Sequence, residues 1–245
     1  MGFFIFLKKP FNCMIKLPFH KFLYSTKRTL RYLWYNLLTT LLSIILLIIL
    51  KSAGLNISIK DSYANDISNE QNMLLVFLMC FDGVIVSPLF EEITFRLALK
   101  PNMNRIALCT AFLLSIIFLL PTGIGSVLKE TFGYVGPISY ILLGLMLYIG
   151  LLSLFNRVDN VYRLLYNCWN SYFMIYANSI AFGLAHTRKI GDGVTDIWLY
   201  IPILLPYVIS GYIFAKARLK DGFVVGFATH ALFNLLVITL NLLHR

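Results

Sequence analysis

The sequence predicts an all-α, polytopic membrane protein: a bundle of about seven transmembrane helices with the N-terminus inside. Three observations predict it. Apolar residues make up 59% of the chain and charged residues only 13%, with a mean hydropathy of +0.78. An ordinary soluble domain carries ~25% charged residues, and no soluble core hides this much apolar surface. The apolar residues also fall into seven runs near spanning length, and each must be helical because lipid leaves backbone groups no water to bond. Finally, the cations collect between alternate runs.

Residues 1–32 come first. They hold Lys8, Lys9, Lys16, Lys21, Lys27, Arg28 and Arg31, interrupted by Pro10 and Pro18. No run there reaches the length of a signal-peptide core, so the segment reads as an uncleaved, basic, interfacial collar on the cytoplasmic side. The spans follow at 33–50, 73–96, 106–121, 137–155, 164–186, 198–215 and 222–242. The third is short and stops at Pro121. Residues 51–72, with Asp61, Asp66 and Glu70, read as an external polar loop. On this layout fifteen Lys and Arg residues lie inside and six outside (Lys51, Lys60, Lys129, Arg188, Lys189 and Arg245), the bias that sets orientation.

The net charge of +10 thus fits attraction to an anionic leaflet, with membrane lipid rather than nucleic acid as the partner. Cys13, Cys80, Cys109 and Cys168 are scattered with no C-x-x-C pair, and read as small buried hydrophobes rather than disulfides or thiolate ligands. There is no internal repeat. One membrane-embedded domain, 33–245, follows the basic segment.

Ionisable and amide groups at membrane depth are few. A charge at the bilayer centre costs ~2.5–3.5 kcal/mol on insertion scales, so each is a candidate functional group facing a partner or a wet cavity. Asp82 lies in the second span. In "PLFEEITFRLALK", 88–100, Glu92 and Arg96 are four apart and can pair along one helix face. Glu91 points ~100° away and has no cation on its own helix. A carboxylate so placed suits a general base for water; the plainer reading of the trio is a charge cluster at a helix end. In "AFGLAHTRK", Asn178, Phe182 and His186 share a face, and His186 alone reads as an interfacial histidine. In "GFATHALFNLL", His230 and Asn234 are one turn apart; alone, they read as interhelical hydrogen-bond glue.

Taken together these spell E-E-x-x-x-R, F-x-x-x-H and H-x-x-x-N, in that order, on three apolar helices. The pattern, Glu91, Glu92, Arg96, Phe182, His186, His230 and Asn234, resembles the CPBP family of CAAX-processing and bacteriocin-processing intramembrane proteases. The resemblance covers roughly 75–240. It implies a bundle in which Glu91, with His186, deprotonates a water that attacks a peptide carbonyl. His230 and Asn234 would hold the oxyanion, and Glu92 with Arg96 would support the helix. It also admits a metal version with Zn2+ on Glu91, His186 and His230, although H-E-x-x-H is absent; the metal-free version is preferred. The implied substrate is a membrane-associated or lipidated peptide or protein, and the implied location a bacterial cytoplasmic membrane.

Two features depart from the family pattern. Leu97 follows the motif arginine where a small residue is usual, and an extra helical hairpin, about 106–155, separates the first two motifs. On the spans above, Glu91 falls near the inner edge and His186 near the outer one. They meet only if the second helix continues into the cytosol, to about Arg105. Two other classes remain open: a non-catalytic immunity or scaffold protein, and a transporter using Asp82, Glu91 and the histidines as a proton relay. The transporter calls for inverted repeats, and none is visible.

Overall fold

The computed structural model describes residues 19–55, 73–119, 135–187 and 197–243. Residues 1–18, most of the polar loop, Pro121, Lys129, Arg188 and Lys189 lie outside them. Among the described residues every regular element is helical. We number them α1 (Phe19–Ser52), α2 (73–99), α3 (Met103–Leu119), α4 (Val135–Arg157), α5 (Asp159–Trp169), α6 (Phe173–Ala185), α7 (Tyr200–Asp221) and α8 (Phe223–Leu243).

Six of the seven expected spans coincide with a helix or helical run. Among the described residues, three helices are long and apolar enough to cross a membrane unaided: Ser25–Ser52 within α1, Tyr200–Asp221, and Phe223–Leu240. A fourth is reached if α4 and α5 count as one bent span. α3 and α6 are apolar but shorter. The count of seven therefore does not follow from helix length and composition.

The fifth expected span, 164–186, divides into two helices. α5 bends away from α4 by 114° at Val158. Its residues Val161, Tyr162, Leu165, Tyr166 and Trp169 recur at helical spacing and pack on a core of Ala98, Ile106, Cys109 and Phe155. Its other face carries the exposed pair Arg163–Asp159. That pattern is an amphipathic helix lying across the end of the bundle. Only α6 continues as the apolar element.

α1 carries residues 19–32 of the basic segment and the first span on one helix. It packs on α7 and α8. Arg28 pairs with Asp221, and the Tyr32 hydroxyl donates to Asp221 Oδ2 at 2.8 Å. The next residue, Gly222, turns the chain from α7 into α8 at φ 95°, a conformation open to glycine. α3 and α4 pack on each other, and α2 bridges them to the α1, α6, α7 and α8 group.

Candidate functional site

The site is built on α2, which is not a regular helix. π turns at Asp82–Val86 and Glu92–Arg96 flank the short segment Ser87–Glu91, and π turns often mark functional positions. Pro88 gives the first one a physical cause, since a proline within a helix clashes with the carbonyl four residues back and supplies no N–H. The Ser87 N–H donates five residues back, to Asp82. In that register Gly83 would need the N–H of Pro88, which does not exist. Its carbonyl accepts instead from Nδ2 of Asn234 on α8, at 2.9 Å. In the second π turn the Thr94 carbonyl likewise takes a side-chain donor, Cys109 Sγ of α3, at 2.7 Å.

Glu92 and Arg96 pair at 2.6 Å with 0% and 1% of their side chains exposed. The charges are thus fully enclosed and must neutralise each other. Glu91 does not point elsewhere, as regular α geometry predicts. His230 lies between both acids, with Nε2 3.3 Å from Glu91 Oε2 and Nδ1 3.5 Å from Glu92 Oε1. Glu91 keeps 21% of its side chain exposed, so it is the acid that an incoming group can reach.

Phe182 is the hub. Its ring meets Phe95, Phe214 and His230 edge-on at 5.7, 6.3 and 5.8 Å between centroids. The Arg96 guanidinium lies 4.4 Å over Phe182 and 5.1 Å from Phe214, two cation–π contacts beside its ion pair. Phe214 in turn stacks on His230 at 4.3 Å.

His186 joins the same cluster. Its ring is 4.7 Å from that of Phe182 and stacks at 4.4 Å on Tyr207. His186 Nδ1 is 2.8 Å from the Phe182 carbonyl oxygen. A carbonyl only accepts, so Nδ1 carries the hydrogen and Nε2 presents its lone pair in the neutral ring. The expected separation of Glu91 and His186 is not seen: Glu91 meets His230, the His230 ring meets Phe182, and Phe182 meets His186. No extension of α2 to Arg105 is needed; α2 ends at Leu99.

Close crossing of α6 and α7 makes these contacts possible. A Cβ on Gly211 would come within 3.0 Å of Phe182 Cδ1 and 3.3 Å of Ser179 Cα; one on Gly183 would lie 2.3 Å from Val208 Cγ2. Small residues at such crossings let helix backbones approach.

Several buried polar atoms here lack a hydrogen-bond partner among the described residues: Glu91 Oε2, Glu92 Oε2, Arg96 Nη2, Asn178 Nδ2 and His230 Nδ1. Native cores leave few such atoms, and a polar ligand would satisfy them. A metal fits less well. Among the described residues, no three His, Cys, Asp or Glu side chains group to hold an ion. Among those residues Glu91, His186 and His230 are not grouped as a ligand set.

Glu91, Glu92, Arg96, Phe182, His186, His230 and Asn234 thus occupy one connected cluster. The sequence reading missed Pro88, Tyr207, Gly211 and Phe214. Tyr207, Gly211 and Phe214 recur at i, i+4 and i+7, the spacing of one helix face, but in an apolar helix such a stripe looks like any packing face.

A family model described as type II CAAX prenyl endopeptidase, Rce1-like, matches residues 72–236, well over half of the chain. The chain belongs to this family. It is an integral membrane protein of a protease family, and the match takes in every motif residue of the cluster and leaves out the whole of α1. Curated proteins and solved structures yield no match.

Proposed function

We propose that this Rce1-like protein is an intramembrane endopeptidase that hydrolyses a peptide bond of a lipidated or membrane-associated substrate, with Glu91 as general base. The observation that carries the reading is the approach of Glu91 to His230 at 3.3 Å, on the partly open side of an otherwise enclosed polar cluster. His186 Nε2 and Glu91 hold the attacking water. Glu91 takes one water proton as the hydroxyl oxygen bonds to the carbonyl carbon. The carbonyl π electrons move to oxygen, where N–H groups stabilise the charge as it develops. His230 is one donor. Asn234 keeps a second N–H for the role, its first being used on Gly83. Collapse re-forms the carbonyl and breaks the C–N bond, and the proton on Glu91 passes to the leaving amine.

Glu92 and Arg96 stand behind this centre. Their pairing holds α2 beside His230 and Phe182. The cation bias of the sequence assigns the cytosolic side to the bundle end carrying Lys100, Arg105, Arg157 and Lys220.

The test is Glu91→Gln. The amide keeps shape and burial but cannot take the proton. Cleavage of a farnesylated peptide should fall by at least about a thousandfold, on the scale of losing general base catalysis. Detergent-solubilised protein should keep its helical circular dichroism and melting temperature. Unreduced cleavage by this variant would refute the assignment of Glu91.

A further inference from the structure

Arg218 is a buried cation that the proposed chemistry leaves unused. The residue is 4% exposed, and its Nε is enclosed without an acceptor. Among the described residues no carboxylate pairs with it. The ring of Phe223, 4.9 Å from Cζ, is its close partner. Of the charges that act on it, Arg105 repels it, and Glu92 is already paired with Arg96. A guanidinium with so little exposure and no counter-ion among the described residues is costly, and its planar fork matches a carboxylate.

Its position says which carboxylate. Arg218 is one turn beyond Phe214 on the same face of α7, and Phe214 stacks on His230. On α8, Gly226 is one turn before His230. A Cβ there would lie 3.4 Å from Arg218 Cα, so the two backbones nearly touch at this level. Arg218 and Gly226 thus form the layer next to Phe214 and His230, ~5.4 Å along the helix axes toward Gly222. A peptide cut three residues from its end carries its terminal carboxylate ~10 Å from the broken bond. One helical turn plus the length of an arginine side chain covers that distance.

We infer that Arg218 binds the free C-terminal carboxylate of the substrate. This rests on the CAAX-protease reading above, because only a substrate cut near its C-terminus brings that group here. Arg218 is a substrate-binding residue, not a participant in proton transfer.

The experiment compares one farnesylated CAAX hexapeptide as the free acid and as the C-terminal amide, using full-length protein in lipid nanodiscs. Wild type should cleave the acid with a kcat/KM roughly ten- to a hundredfold above that of the amide, the scale of a charge-assisted hydrogen bond. Arg218→Met should lower acid cleavage to the amide level and leave amide cleavage unchanged; Arg218→Lys should recover part of the preference. Equal cleavage of acid and amide by wild type overturns the inference and leaves the protease reading standing. That outcome is also the one expected if Arg218 serves a lipid headgroup. Cleavage of neither peptide overturns both. The wild-type comparison requires no variant to fold.

Discussion

The side chain of Asn234 donates from Nδ2 to the carbonyl oxygen of Gly83 at 2.9 Å. The bond joins α8 to the π turn of α2, and it exists because Pro88 cannot supply an N–H in that register. Asn234 therefore has a structural duty besides any catalytic one. Asn234→Ala leaves a carbonyl unpaired in an apolar layer, which costs ~1–3 kcal/mol. The melting temperature in detergent should drop measurably, and Asn234→Asp should do no better, since a carboxylate donates nothing. In a Pro88→Ala background, where a backbone N–H returns, the loss should shrink. A purely oxyanion-binding asparagine would leave melting unchanged in both backgrounds.

Glu92 and Arg96 make the second prediction. Both are enclosed, and the pair is stabilising only as a pair. Arg96→Met strands the Glu92 charge and also removes the cation from Phe182 and Phe214. We expect ~3–5 kcal/mol of destabilisation from this variant. Adding Glu92→Gln should recover a large part of it, giving a clearly non-additive double-mutant cycle. Additive losses in chemical denaturation would mean that the two side chains act independently.

The all-helical class and the helices around most of the apolar runs were readable from the chain, because hydrophobic run length is a direct consequence of the bilayer as solvent. The residues of the cluster were readable too, since acids, imidazoles and an amide are conspicuous where lipid excludes them. What failed to show was local geometry. Regular α spacing turns Glu91 away from Glu92, whereas π turns beside them bring both acids to His230. Run length merged α5 with α6, because the apolar half of an amphipathic helix adds to a neighbouring hydrophobic segment. The periodicity of Val161, Tyr162, Leu165, Tyr166 and Trp169 against Asp159 and Arg163 was the available signal. Arg218 was legible only as one more orienting cation; its enclosure is a tertiary fact.

The crossing of α6 and α7 predicts a defect far from any proton transfer. Gly211→Ala puts a methyl 3.0 Å from Phe182 Cδ1 and 3.3 Å from the Ser179 backbone. The helices must part by a few tenths of an ångström, or the Phe182 ring must turn. Either movement displaces Arg96 and both histidines, because all three contact that ring. Overpacking of this kind costs ~1–3 kcal/mol. Cleavage should fall about tenfold or more while the protein still folds, since small misplacements are expensive in catalysis. Gly183→Ala, with its nearest contact at 2.3 Å, should be the worse of the two in melting temperature. Wild-type rates and melting for both would show that the crossing has room to spare.

Metal removal supplies the last prediction. Zinc needs its protein ligands at ~2.0–2.3 Å and holds three of them in catalytic sites. Glu91, His186 and His230 are the residues that the sequence offers. In the structure His230 has its two ring nitrogens directed to Glu91 and Glu92, and His186 has Nδ1 bonded to a backbone carbonyl with its ring stacked on Tyr207. Among the described residues no triad of such ligands assembles. A glutamate base needs none. Exhaustive chelation followed by buffer exchange should therefore leave the cleavage rate within about twofold, a far smaller change than loss of a general base would cause. Elemental analysis of the active protein should find far less than one zinc per chain. Activity lost on chelation and regained on adding zinc alone would reassign Glu91 from base to ligand and replace the mechanism above.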